Sequence, residues 1–211
     1  HLSKRKGHHG KILGIYSPVH RIGKTTFALK LGKELAEEES VLYLNLETYA
    51  GIGGYFRDEE NQDLSNLLYY TKQENDAISV RVSSSVQHMG NLDYIPPMKI
   101  GTDLKDIEMQ EWKALFEKLS EQSVYDTIVV DIGDSIRNIF EMIEMCDWIF
   151  IPFAEDVYAK SKMNQWNYML NTLKMQELEM KSIYVNMDRS IRQAAAEALA
   201  ELKTREGEDI C

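Results

Sequence analysis

The sequence predicts an α/β fold, a doubly wound, mainly parallel sheet with helices on both faces. Three observations carry that expectation. Apolar runs alternate with amphipathic stretches along almost the whole chain. Several of those runs are nearly continuous in apolar residues, as strands are when helices cover both faces of a parallel sheet. The first run is followed by a turn, Gly23-Lys24-Thr25-Thr26, that opens directly into a helical pattern. In such sheets ligands bind outside the carboxyl ends of the strands.

The elements follow in order. "KILGIYSPV" reads as a buried strand, "KTTFALKLGKELAEEE" as a helix with Ala28, Leu31, Leu35 and Ala36 on one face, and "VLYLNLE" as a second strand. Together they make one βαβ unit. Residues 48–91 leave alternatives open, since "NLLYYTKQENDAISVRVSSSVQHMG" accommodates a short helix and one or two edge strands. Then come the strand "LDYIPP", a helix around "MQEWKALFEKLSEQ", the strand "YDTIVVDIG", a helix through "SIRNIFEMIEM" and the strand "DWIFIPF". A helix around "AKSKMNQWNYMLNTLKM", the strand "SIYVNM" and a helix "SIRQAAAEALAELKT" end the pattern. Trp112, Leu115, Phe116 and Leu119 recur at helical spacing, as do Met163, Trp166, Leu170 and Leu173, and both sets read as core.

Composition excludes several classes. With 211 residues, 44% of them hydrophobic, the chain can bury a substantial core. No apolar run approaches the roughly 20 residues of a membrane-spanning helix, and no signal-peptide pattern opens the chain, so a cytoplasmic location is expected. A net charge of −10 argues against a surface devoted to nucleic acid. Cys146 and Cys211 are far apart in sequence, and Cys146 reads as a buried free thiol rather than a disulfide partner or metal ligand. Residues 1–10 form a linker or N-terminal extension; Lys4, Arg5 and Lys6 make it basic, either as a solvated linker or as an arm that touches phosphate or lipid. A chain that opens on His1 suggests a piece of a longer protein with a preceding domain.

The turn after the first strand carries the chemistry. A phosphate loop works because backbone N–H groups converge on phosphate oxygens at a helix N-terminus whose dipole favours anions. Lysine reaches the phosphates and the next hydroxyl binds Mg²⁺. Lys24 and Thr25 fit those roles, although the general pattern G-x-x-x-x-G-K-[ST] meets Pro18 where its first glycine belongs. A second element, the apolar strand ending in Asp131, supplies the acid that would hold Mg²⁺. Two such elements in the right order predict a nucleotide-binding P-loop domain over residues 11–211.

With the third element, "VLYLNLETYAGIGG", the sequence resembles the ParA/MinD family of deviant Walker ATPases, whose loop reads K-G-G-x-G-K-T and whose second strand ends in D-x-D. Asn45 and Glu47 stand at the two acidic positions. The resemblance runs from Lys11 to about Asn186, and "LNLE", "YIPP", "EWKALFEKL", "YDTIVVDIGDSI" and "MCDWIFIPFAED" are most similar to the TadZ/CpaE branch, which acts in pilus assembly and polar localisation. The resemblance implies an ATPase domain with ATP and Mg²⁺ as cofactors, and phosphate binding by Arg21, Ile22, Gly23, Lys24, Thr25 and Thr26. It implies Mg²⁺ binding by Thr25 and Asp131, with Lys24, Glu47 and Asp131 as the catalytic set. Asn186 matches a position that often contacts adenine. The implied assembly is a homodimer that positions a cellular machine through protein partners, recruited to the membrane face or cell pole; direct membrane binding and nucleic-acid binding are not expected. A non-hydrolysing scaffold and a DNA-partition ATPase are the alternatives.

The departures matter as much. The family's signature lysine aligns with Val19, and its two glycines with His20 and Arg21. Arg21 either takes over part of the lysine's role, since guanidinium pairs well with phosphate, or points to solvent or an acid. Gly51 to Gly54 form either a switch segment or a plain turn. The last helix, with Ile191, Ala194, Ala195, Ala198, Leu199 and Leu202 on one face, invites a membrane-anchor reading, but its small residues and glutamates favour packing on the sheet. Binding is therefore expected to be intact and turnover weak or lost.

Overall fold

A computed structural model describes residues 9–57, 62–73 and 78–208. Lys4, Arg5, Lys6 and Cys211 lie outside the described residues, as does most of the expected N-terminal linker.

The sheet has seven strands: β1 (Lys11–Ile15), β2 (Val41–Leu46), β3 (Gln87–Met89), β4 (Leu92–Tyr94), β5 (Thr127–Ile132), β6 (Trp148–Phe153) and β7 (Ser182–Asn186), in the spatial order β3-β4-β2-β5-β1-β6-β7. Every neighbouring pair is parallel except the β3–β4 hairpin. This is the doubly wound arrangement that the apolar runs predict, because β2 and β5 are buried along their whole length and need cover on both faces.

Alternation along the strands sorts the core into two layers. Odd positions of β1, β2 and β5, among them Leu13, Ile15, Tyr43 and Val129, pack with Phe27, Ala28, Leu31 and Leu35 of α1 (Lys24–Leu35) and Ala194, Ala195, Ala198 and Leu202 of α8 (Ile191–Glu208). Even positions, among them Leu42, Leu44, Leu46, Ile128 and Val130, pack with Trp112, Leu115, Phe116 and Leu119 of α4 (Met109–Gln122) and Met163, Trp166 and Leu170 of α6 (Val157–Leu173). The small face of α8 is spent on that packing, and among the described residues no helix is long and apolar enough to cross a membrane. Cys146 is a buried free thiol, as expected, and burial pushes its pKa up to about 12.

Some expectations need correction. Among the described residues, 62–73 and 78–89 hold the helices α2 (Leu64–Lys72) and α3 (Ile78–Ser85) and the edge strand β3. The alternation Ile78, Val80, Val82 looks strand-like, but Ile78, Val82 and Ser85 are the buried set, a helical spacing, while Val80 is exposed. The helix α5 (Ile139–Glu144) is shorter than the pattern over 135–145 suggests, because Asn138 caps it by accepting from the Glu141 N–H. Leu173, expected in the core, is exposed at the last turn of α6, where Lys174 takes a left-handed conformation and ends the helix. A 3₁₀ turn (Gly101–Asp106) and a short helix α7 (Gln176–Met180) carry no periodic signal and are absent from the sequence reading.

Candidate nucleotide site

The carboxyl ends of β1, β2 and β5 meet at one point because of register. Ile15 and Asn45 both lie opposite Asp131. Tyr43, Asn45 and Glu47 share the face of β2 that Asp131 occupies on β5, and that face looks toward α1, whose first residue is Lys24.

The loop between β1 and α1 turns on two left-handed residues, Arg21 (φ 57) and Gly23 (φ 83). Gly23 is the residue before α1 and supplies no side-chain cap, and the first turn contains no acid. The first intrahelical bond to the loop is Phe27 N–H to the Gly23 carbonyl at 2.9 Å, so the N–H groups of Lys24, Thr25 and Thr26 precede the helical ladder. These are the donors a phosphate needs. Pro18 sits outside the left-handed positions, so the missing first glycine removes no required conformation. Ser17 ties the loop root to the sheet: its hydroxyl donates to the Pro152 carbonyl at 2.6 Å and accepts from Val19 N–H at 3.0 Å.

Lys24 is the centre of the site. Its ammonium pairs with Asp131 Oδ1, with Glu47 Oε1 at 2.6 Å, and donates to the Ile132 carbonyl at 2.8 Å. Burial works against its charge, but the Asp131 and Glu47 carboxylates outweigh it and hold the Lys24 pKa above its usual value. Asp131 is fully buried, and its Oδ2 accepts from the Tyr43 hydroxyl at 3.0 Å and the Asn45 amide at 3.2 Å. Burial first, then the Asp131 charge, pushes the Tyr43 phenol well above its ordinary range, so it donates as a neutral group. Asn45 also holds the start of the next segment, accepting from Glu47 N–H at 3.0 Å. Gly133 is required beside it: a Cβ there would lie 2.5 Å from the Leu46 carbonyl and 2.9 Å from Glu47 Oε2.

A cleft of about 360 Å³ opens over this point, lined by Val19 to Thr26 with Ser17, Glu47, Tyr55 and Asp134. Of the sequence-predicted residues it gathers Arg21, Ile22, Gly23, Lys24, Thr25, Thr26 and Glu47, with Asp131 beneath them. Asn186 stands apart, at the end of β7 in the cleft between β7 and α8, where its Oδ1 accepts from Asp188 N–H at 2.9 Å. The segment after it does approach the loop: a Cβ at Gly23 would lie 3.7 Å from Met187 Cε and 3.8 Å from Ile191 Cδ1.

The rewritten loop positions have distinct fates. Val19 packs against the hydrophobic core. His20 pairs with Asp134 at 3.1 Å, both half exposed. Arg21 is exposed and forms no ion pair or hydrogen bond with the described residues, so it points to solvent at the cleft rim. The glycines at 51–54 form a tight turn, with Gly53 N–H bonded to the Phe56 carbonyl at 2.8 Å and Gly54 N–H to the Gly51 carbonyl at 2.9 Å. That turn delivers Tyr55, whose hydroxyl lies 3.2 Å from Thr26 Oγ1. Sequence reasoning missed Tyr55 and Asp134, which have no motif, and Tyr43, which strand parity with Asn45 could have found.

The oxygen donors Thr25 and Asp131 suit a hard cation. Among the described residues no three His, Cys, Asp or Glu side chains gather into a metal cage.

No protein-family model matches the chain, and no curated protein does. Solved structures do match. A plasmid partition protein from Borrelia burgdorferi superimposes with a TM-score of 0.68 at 17% identity, covering 93% of this chain and 99% of that one. A second plasmid partition protein from Borrelia burgdorferi B31, bound to AMPPNP, gives 0.65 at 20% identity, covering 92% and 83%. A ParA family ATPase from Chlorobium tepidum gives 0.66 at 18% identity, covering 90% and 81%. The chain shares the doubly wound P-loop NTPase fold of these plasmid partition and ParA family proteins.

Proposed function

We propose that this chain binds ATP with Mg²⁺ in the cleft over Lys24 and acts as a ParA/MinD-like ATPase that positions or assembles a cellular machine through nucleotide-dependent dimerisation. One observation carries the reading: the loop lysine, the buried acid of β5 and the acid after β2 converge within hydrogen-bond distance, beneath free N–H groups at the start of α1. Lys24, Arg21 and the N–H groups of Gly23 to Thr26 bind phosphates; Thr25 and Asp131 hold the ion, and Glu47 orients the attacking water. The bound ion would neutralise charge that develops on the phosphates. Asn186 and the turn after it receive the base. AMPPNP in a structural neighbour supports the ligand class.

The finer assignment, to a pilus or secretion apparatus at the cytoplasmic membrane face, rests on the sequence resemblance to the TadZ/CpaE branch. The neighbours' description as plasmid partition proteins favours DNA partition instead, against which the net charge of −10 weighs. Salt-dependent retention on nonspecific DNA would decide for partition.

The measurement that tests the core reading is ATP affinity and turnover in the wild type, Lys24→Ala and Glu47→Ala. Lys24→Ala is expected to lose about 100-fold in affinity, and Glu47→Ala to keep binding and lose turnover. A wild type that binds no ATP sinks the reading. A wild type that binds but never turns over supports the non-hydrolysing scaffold, which the inward packing of Val19 favours.

A further inference from the structure

An ammonium has three N–H donors, and Lys24 has three acceptors: Asp131 Oδ1, Glu47 Oε1 and the Ile132 carbonyl. No donor is left over for a phosphate. On the other side, Asp131 spends Oδ2 on the hydroxyl of Tyr43 and the amide of Asn45, both neutral and both buried. Its Oδ1 is the oxygen that faces a cation, and Lys24 is that cation. Asp131 is fully buried, so removing its counter-charge with nothing in return is costly.

Two consequences follow from this geometry. Lys24 can turn to a phosphate only by releasing Asp131, and the release is favourable only if another cation reaches Oδ1. Equally, a divalent ion cannot take Oδ1 while the ammonium holds it, because like charges in a poorly solvated site repel strongly.

We propose that Lys24 is a place-holder for the metal, so that ATP and Mg²⁺ enter in one linked exchange: phosphate draws Lys24 off Asp131 and Mg²⁺ replaces it. Tyr43 and Asn45 are positioning residues in this exchange, since they commit Oδ2 and leave one oxygen as the exchange point. Asparagine at 45 suits the task better than an acid, whose charge would face Asp131 across the β2–β5 pair. This inference rests on the ATP reading above and adds to it a prediction about metal-free binding, for which metal-ligand chemistry alone expects no change.

The test is calorimetric titration of ATP into the full chain, with MgCl₂ or with EDTA. The wild type is expected to bind ATP about 50-fold more weakly in EDTA, within the range of strong site coupling. Asp131→Asn removes the charge that Lys24 balances while keeping the shape. It is expected to bind metal-free ATP about tenfold more tightly than the wild type and to lose most of the Mg²⁺ effect. Glu47→Gln, at a half-buried position, guards against a folding defect in the first variant and is expected to shift metal-free affinity the same way by about threefold. If neither variant binds metal-free ATP more tightly than a wild type that binds MgATP normally, the place-holder inference is overturned and the ATP reading stands. If the wild type binds ATP in neither buffer, both fall.

Discussion

The two halves of the loop between β1 and α1 have been treated differently. The half from Gly23 to Thr26 keeps a left-handed glycine, a half-buried lysine paired with two acids and an uncapped helix start. The half from Pro18 to Arg21 keeps the backbone path but exchanges the chemistry: Val19 turns into the core, His20 pairs with Asp134, and Arg21 holds a left-handed conformation that glycine favours. The proposed grip on phosphate depends on main-chain direction and one lysine, which the side chains upstream leave alone. Reaching beyond the site depends on what the side chains at 19 to 21 carry, and there the loop has changed.

The largest expected effect comes from breaking the first half. Lys24→Ala leaves Asp131 fully buried without its cation and Glu47 beside it. Removing one partner of such a pair typically costs about 3 kcal/mol, so chemical denaturation of the variant is expected to show a lower midpoint with an unchanged slope. A variant as stable as the wild type would mean that Asp131 is balanced by its hydrogen bonds alone.

A smaller effect of opposite sign comes from the second half. Arg21 sits at φ 57, where a side chain costs about 1 kcal/mol, and it has no partner among the described residues to offset this. Arg21→Gly is expected to raise stability by about 1 kcal/mol while lowering ATP affinity several-fold through the lost charge. Stability gained with no loss of affinity would show that Arg21 plays no part in phosphate binding, and the contrast between the two halves would then be complete.

Sequence made the fold and the first half of the loop legible for the same reason: both are written in local patterns. Continuous apolar runs report burial on two faces, and Gly-Lys-Thr between a strand and a helix reports a phosphate loop. What stayed hidden depends on contacts across the sheet. Tyr43 reads as an apolar strand residue, and its role exists only because β2 and β5 are neighbours in register. Asn186 ends β7, as the pattern fixes, but its bond from the Asp188 N–H and its distance from the cleft over Lys24 are not written in the strand. In residues 78–85 the alternation of branched residues mimicked a strand, and only packing against α2 and α4 shows that the period is helical.

The smallest prediction concerns the loop's root. Tyr16 follows β1 directly, packs against Trp166 with ring centroids 5.4 Å apart, and has its pKa raised from 10.0 to about 12 by burial, with the Asp134 charge adding to it. Asp134 is also the partner of His20, so the phenol reports on the rewritten half from below. An acid whose folded pKa is raised holds its proton longer in the folded state than in the unfolded one. Its stabilising effect is therefore complete below pH 10 and is lost as pH rises from 10 towards 12. Relative to Tyr16→Phe, the wild type is expected to lose roughly 1 kcal/mol by pH 11, measured as the difference between the two urea midpoints across that window. If the difference is flat with pH, Tyr16 titrates as a solvated phenol and the root of the loop is more open than its packing against Trp166 implies. If it is steep in the wild type and halved in an Asp134→Asn background, the β5 loop and the loop before α1 share one electrostatic environment. The residues at 18 to 21 then act on the acid-bearing loop opposite as well as on the cleft over Lys24.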